Sequence, residues 1–170
     1  MDERIIISAG WCCTMDKEEF AARVVAMRDT LYRVAASLLR SEADREAAVS
    51  EAIARAMVRL PGLRNPEAFH TWMIRILINE CYNILRHNKR EIAVDEVPDV
   101  YFAPEDSREL YKAFHALEEK YRLPMVLHYV EGYNVDEVAR MLRRPEGTIK
   151  SQLMRGRKML RDELDEEVSV

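Results

Sequence analysis

Between Arg140 and Arg161 the chain carries eight basic side chains and one acid, Glu146. Lysine and arginine at that density suit one chemistry above others, the neutralisation of a line of phosphates. Their spacing supports it. Ile149, Leu153, Gly156 and Leu160 share one narrow helical face, while Lys150, Arg155, Arg157, Lys158 and Arg161 cover the rest, with Ser151 and Gln152 among them. A basic face beside a buried stripe is the electrostatic footprint of nucleic-acid contact, although a merely solvated amphipathic helix has the same composition. Other chemistries find less support. Glu67 and His70 have the Glu-x-x-His spacing of di-iron bundles, but that site needs a second pair and two further glutamates. They read as capping and surface residues. His87, His115 and His128 show no ligand spacing, and Cys12, Cys13 and Cys81 show neither a metal motif nor a disulfide framework. With no glycine-rich phosphate loop or nucleophile motif, the expectation is a non-enzyme without metal or cofactor.

The basic face needs elements to aim it. Asn134 with Glu137 forms a capping box, so a helix starts at Val135. Val135, Val138, Ala139 and Leu142 then make one apolar stripe. Arg143 and Arg144 form a turn. Pro145 suits the first position of the next helix, and Glu146 favours its dipole. Two short helices joined this tightly, the second basic, predict a helix-turn-helix that lays one helix in a DNA major groove.

Upstream, helical periodicity continues. Asp16 caps a helix running to about Leu39, with Phe20, Val24, Met27, Leu31, Val34 and Leu38 inward. Ser41 with Asp44 caps a second, with Val49, Ile53, Ala56 and Leu60 inward, ending at Pro61-Gly62. Asn65-Pro66 starts a third that runs to Asn88. Its centre, Trp72 to Ile78, is apolar nearly all round and should be buried, and its end is basic. The stretch 91–106 carries six acids, no lysine or arginine, and two prolines; it reads as a linker. Helices over about 107–121 and 124–131 lead to the helix-turn-helix. The expected organisation is all-α: a leader (1–15), a three-helix domain (16–91), an acidic linker (92–106) and a helix-turn-helix domain with an acidic tail (107–170). Met15 is a candidate start.

The 170 residues have a formal net charge of −4, so the chain as a whole is no general polyanion binder. Charge is instead segregated, which suits a local DNA contact held in check until a partner arranges it. Cysteine usage suggests a reduced, cytoplasmic setting. No apolar run approaches the roughly 20 residues of a membrane helix, so no membrane insertion is expected.

Two segments carry a resemblance. Leu123 to Leu164, with Glu131-Gly132 before the first helix and the run Gly147-Thr148-Ile149-Lys150-Ser151, is similar to the minus-thirty-five-reading module of bacterial sigma factors of the extracytoplasmic-function (ECF) class. Asn65 to Arg90, with Trp72, Arg75, Ile76 and Asn79, is similar to that family's minus-ten-reading helix. The resemblance covers about 16–166. It implies a protein that binds core RNA polymerase, gives it promoter specificity and helps to open the duplex, and that an anti-sigma protein, often membrane-anchored, masks.

What the family implies can be set against these residues. Ser151, Gln152 and Arg155 become base-edge candidates upstream, since arginine commonly partners guanine and glutamine adenine. Arg143, Thr148, Lys150, Arg157 and Lys158 complete that contact set, mainly at phosphates. Arg64, Asn65, Phe69, Trp72, Arg75, Asn79, Tyr82 and Arg86 are candidates for holding unpaired bases of the melted non-template strand, where π-faces need an apolar pocket and base edges an amide. The helix from Ser41 corresponds to the polymerase-docking surface, with Asp44, Glu46, Val49, Glu51 and Arg55. Here the chain departs from the family, with Ala48 and Ser50 where an acid and a glutamine are usual. The acidic linker would run through the polymerase cleft. A self-sufficient helix-turn-helix regulator, an enzyme and a pure protein-binding module remain as rivals; the first would shift promoter DNA unaided.

Overall fold

The computed structural model describes residues 15–88 and 108–168, so the leader apart from Met15, which is buried in the core, and the acidic linker lie outside the described residues. Within these, eight α-helices form two bundles. The first bundle contains α1 (Lys17–Ala26), α2 (Arg28–Ala36), α3 (Glu42–Arg59) and α4 (Phe69–Asn88). The second contains α5 (Arg108–Ala116), α6 (Glu119–Met125), α7 (Val135–Leu142) and α8 (Glu146–Val168).

Local chemistry sets the ends. Asp16 and Ser41 accept from the backbone N–H three residues on, as their spacing predicts. The helix expected from Asp16 to Leu39 is broken at Met27, whose backbone leaves the helical region while its side chain is buried. Pro66 to Ala68 forms a tight turn, with Asn65 accepting from the Glu67 N–H. Pro124 does not open a helix as expected; it lies inside α6. It has no N–H to give, and the chain just beyond widens: Glu131 N–H reaches the Val126 carbonyl, five residues back, at 3.0 Å. Gly132 then takes φ +78°, the left-handed conformation glycine adopts without strain.

The first core centres on α4. Ala48, Ala52 and Ala56 are fully buried at four-residue steps on α3, so the two helices approach closely over Met73, Ile74 and Leu77. Cys81 is sealed in this core, and burial pushes its thiol up to about 12, which makes it inert. The second core gathers Tyr121, Met125, Leu127, Val138, Ile149 and Leu153. Gly156 is where α8 meets α6: a Cβ there would stand 2.5 Å from the Met125 sulfur.

The bundles also pack on each other, and their apolar residues merge into one cluster. Arg33 Nε and Nη2 donate to the two Glu131 oxygens at 2.6 and 3.0 Å, and Thr30 Oγ1 donates to Oε2 at 2.7 Å. Arg122 Nε donates to the Ser37 carbonyl at 2.6 Å while its Nη1 holds the carbonyls of His115 and Leu117. Along the same seam, α7 lies against α4.

Candidate nucleic-acid interface

The helix-turn-helix is built as its residues dictate. Asn134 Oδ1 accepts from the Glu137 N–H at 2.9 Å, and Glu137 returns the bond to the Asn134 N–H at 2.9 Å. Arg143 ends α7 at φ 51°, ψ 46°, a left-handed cap made without glycine. Pro145 lends its carbonyl to the N–H groups of Thr148 and Ile149, which launches α8.

On α8 the contact candidates divide by how free they are. The side chains of Thr148, Arg155 and Lys158 are exposed, with no side-chain hydrogen bond or ion pair among the described residues. Lys150 leans 3.4 Å from Glu146, Ser151 Oγ donates to the Gly147 carbonyl at 2.9 Å, and Arg157 lies 6.0 Å from the Tyr129 ring centroid. Gln152 differs: it is half-buried, and its Oε1 is sealed without a partner. An unmade bond of that kind costs about 1–3 kcal/mol, which favours swinging the amide outward when an acceptor or donor arrives. Beside it lies an open hollow of about 410 Å³ between α8 and Lys120-Tyr121 of α6.

On the first bundle the strand-holding candidates separate in the same way. Arg64, Asn65, Asn79 and Arg86 are exposed; Trp72, Arg75 and Tyr82 are half-buried. Trp72 packs against the core, and the exposed Asn79 amide needs no protein partner. Phe69 is a correction. It is completely buried, edge-on to Phe20 at 5.8 Å and beside Trp72 at 6.0 Å, with the Arg23 guanidinium 5.7 Å from its ring centroid. It cannot touch a base; it pins the loop, whose Pro66 carbonyl accepts from Arg23 Nη1 at 2.7 Å. Its place four residues before Met73, on the apolar stripe, was the readable signal. Glu67 and His70 are exposed.

The docking helix needs a similar correction. Val49 is 6% exposed and belongs to the core, so it offers a partner nothing. Ala48 is fully buried, whereas Ser50 and Glu46 face solvent. Asp44 accepts from Asn88 at 2.8 Å, tying α3 to the end of α4. Arg55 bridges Glu51 at 2.7 Å and Glu80 at 3.3 Å. Sequence reading passed over Glu80, a buried carboxylate on α4 that also accepts from Asn83 at 3.1 Å. An acid three residues after Leu77, within an apolar face, was its signal. It likewise missed Met57 and Val58, exposed apolar residues at the far end of the same helix.

The two candidate faces meet. Arg75, Ile78, Asn79 and Tyr82 of α4 line one side of a cleft of about 190 Å³; Met141, Leu142, Arg143 and Arg144 line the other. The Tyr82 phenol is raised by burial first and by the Glu119 carboxylate of α6 second. The part of the candidate strand-holding face around Arg75 and Tyr82 therefore lies against the helix-turn-helix, while the outward side of α8 stays open.

Known proteins share this organisation. Residues 24–91 match the family model of sigma-70 region 2 and residues 107–160 that of sigma-70 region 4. The RNA polymerase sigma-E factor of Streptomyces antibioticus is 30% identical over 155 residues, spanning 86% of this chain and 85% of its own. The ECF RNA polymerase sigma factor SigW of Bacillus subtilis is 28% identical over 169 residues, spanning 88% and 90%. The sigma factor RpoE of Bartonella quintana, solved with the anti-sigma factor NepR, superposes with a TM-score of 0.76 at 22% identity over 87% of this chain and 98% of that one, a shared fold. No described helix is long and apolar enough to cross a membrane. With both regions matched in order and a relative at this identity across most of both chains, the protein belongs to the sigma-70 family of RNA polymerase sigma factors, in its extracytoplasmic-function class.

Proposed function

We propose that this sigma factor, acting in the cytoplasm on core RNA polymerase, reads an upstream duplex element with Ser151, Gln152 and Arg155. Arg143, Thr148, Lys150, Arg157 and Lys158 steady that contact at phosphates. Asn79, Tyr82, Trp72, Arg75, Arg86, Arg64 and Asn65 receive unpaired bases of the non-template strand. Asp44, Glu46, Glu51 and Arg55, beside Met57 and Val58, face the polymerase. The observation that carries the assignment is the exposure of the basic side chains of α8, the second helix of a helix-turn-helix, with Arg155 and Lys158 making no side-chain bond among the described residues. The domain division at 16–91 and 107–170, with an acidic connection between, is part of the same proposal.

The covered α4 face adds an order of events. A strand cannot reach Tyr82 or Ile78 while α7 lies over them, so the bundles separate before strand capture. An anti-sigma protein that favours the closed arrangement would then act by holding that seam. Relatives solved with anti-sigma factors make such a partner the natural candidate. Run-off transcription with core polymerase on a genomic promoter library tests the reading. New start sites sharing two upstream elements are expected only when the protein is added; a protein that shifts promoter DNA alone and never retains core polymerase would reverse it.

A further inference from the structure

The cleft between α4 and α7 holds an unbalanced charge. Three arginines, Arg75, Arg143 and Arg144, line it, and none of their side chains has a hydrogen bond or ion pair among the described residues. Arg75 and Arg144 are half-buried, so they have lost part of their water without gaining an anion. Glu119 lies close enough to raise the Tyr82 phenol, but no ion pair joins it to these arginines among the described residues. The remaining polar lining, the Asn79 amide and the Tyr82 phenol, can both donate. Closure of the seam thus crowds like charges together, which an interface avoids unless something of opposite sign is present.

We propose that this cleft is a binding site for a compact polyphosphate anion, of the size of inorganic diphosphate, held jointly by Arg75 from the first bundle and by Arg143 and Arg144 from the second. Guanidiniums grip phosphate oxygens bidentately, and three of them match a multiply charged anion better than a single carboxylate. The volume, about 190 Å³, accommodates two phosphoryl groups and leaves no room for a duplex between the helices. Because its ligands come from both bundles, the anion binds the closed form and draws the equilibrium toward it.

Calorimetric titration of the full chain with sodium diphosphate, at ionic strength held constant with chloride, tests this directly. One saturable site per chain is expected, absent in a sulfate-free chloride titration. Arg144→Gln and Arg75→Gln should each weaken it at least about tenfold. Arg33→Glu, which breaks the seam away from the cleft, should weaken it similarly, and the exchanged pair Arg33→Glu with Glu131→Arg should restore it. Binding indifferent to Arg75→Gln would place the anion on the helix-turn-helix alone and overturn the proposal. So would heat that never saturates, or affinity unchanged by opening the seam. Should the single Arg33 variant fail to fold, the exchanged pair, expected to bind like the parent chain, decides. The readout is binding, so it is independent of promoter activity.

Discussion

The two faces proposed to meet nucleic acid in this sigma factor are in opposite states. On α8, Arg155 and Lys158 stand in water, ready for a groove. On α4, Ile78 is 4% exposed, Tyr82 is half-buried, and both line the cleft that α7 closes from the other side. The difference lies in what each face must recognise. Duplex DNA presents phosphates and base edges to an exposed helix, so that face needs no more than a side-chain turn at Gln152. Unpaired bases need an apolar surface, and an apolar surface left in water tends to be covered, here by the chain's own second bundle.

The strongest way to break the comparison is to forbid separation. With Cys12 and Cys13 replaced by serine, Asn79→Cys and Arg143→Cys joined by a short bismaleimide should hold the seam shut. Capture of a melted promoter strand, read by permanganate footprinting, should fall about a hundredfold or more (2.7 kcal/mol or more). Upstream duplex binding should lose only the Arg143 contact, as the uncrosslinked double variant reports. Equal losses in both assays would mean that the α4 face needs no uncovering.

Arg155→Ala sharpens the other side. It should cost about 1–3 kcal/mol of upstream recognition and leave the seam untouched. Run-off transcription from promoters with and without the upstream element separates the two; an unchanged ratio removes Arg155 from readout. A smaller effect, of opposite sign for folding, is expected at Arg143. Its φ of 51° costs a side-chain-bearing residue what glycine avoids, so Arg143→Gly should raise stability by about 0.5–1 kcal/mol in thermal melts while weakening DNA binding. Loss of stability would show that the side chain's packing outweighs the backbone strain.

The last prediction concerns pH. Burial first, then the charges of Arg122, Arg45 and Arg40, lowers His115 from near 6.5 to about 4. The folded protein therefore keeps this imidazole neutral, while the unfolded chain takes up a proton below about 6.5. Its contribution is complete above that value and fades as pH falls toward 4. Since Arg40 and Arg45 belong to the first bundle, the effect also reports closure. His115→Gln should flatten the acid limb of the melting profile; an unaltered limb would assign that loss to other groups.

Much of this was readable before any coordinates. The helix caps, the α3 and α4 stripes and the basic face of α8 are local patterns, and locality is what periodicity records. Phe69 and Val49 were misread as contact residues because a motif match does not say which side of a helix a position occupies; their own stripes did. The seam was not legible at all. Arg33 and Glu131 stand 98 residues apart, and nothing near either marks the other as its partner. Glu80 failed for a different reason: its burial is tolerable only because Arg55, a turn along another helix, reaches it.

Gly156 carries a mechanical consequence. With no side chain there, α8 rests directly on Met125 and Tyr121 of α6, the helix whose Arg122 grips the first bundle at Ser37. Reader and latch are thus parts of one stiff lever. When the latch lets go, the reading helix swings as a finished tool and needs no reassembly, and a bulky residue at Gly156 would turn that lever into a loose joint.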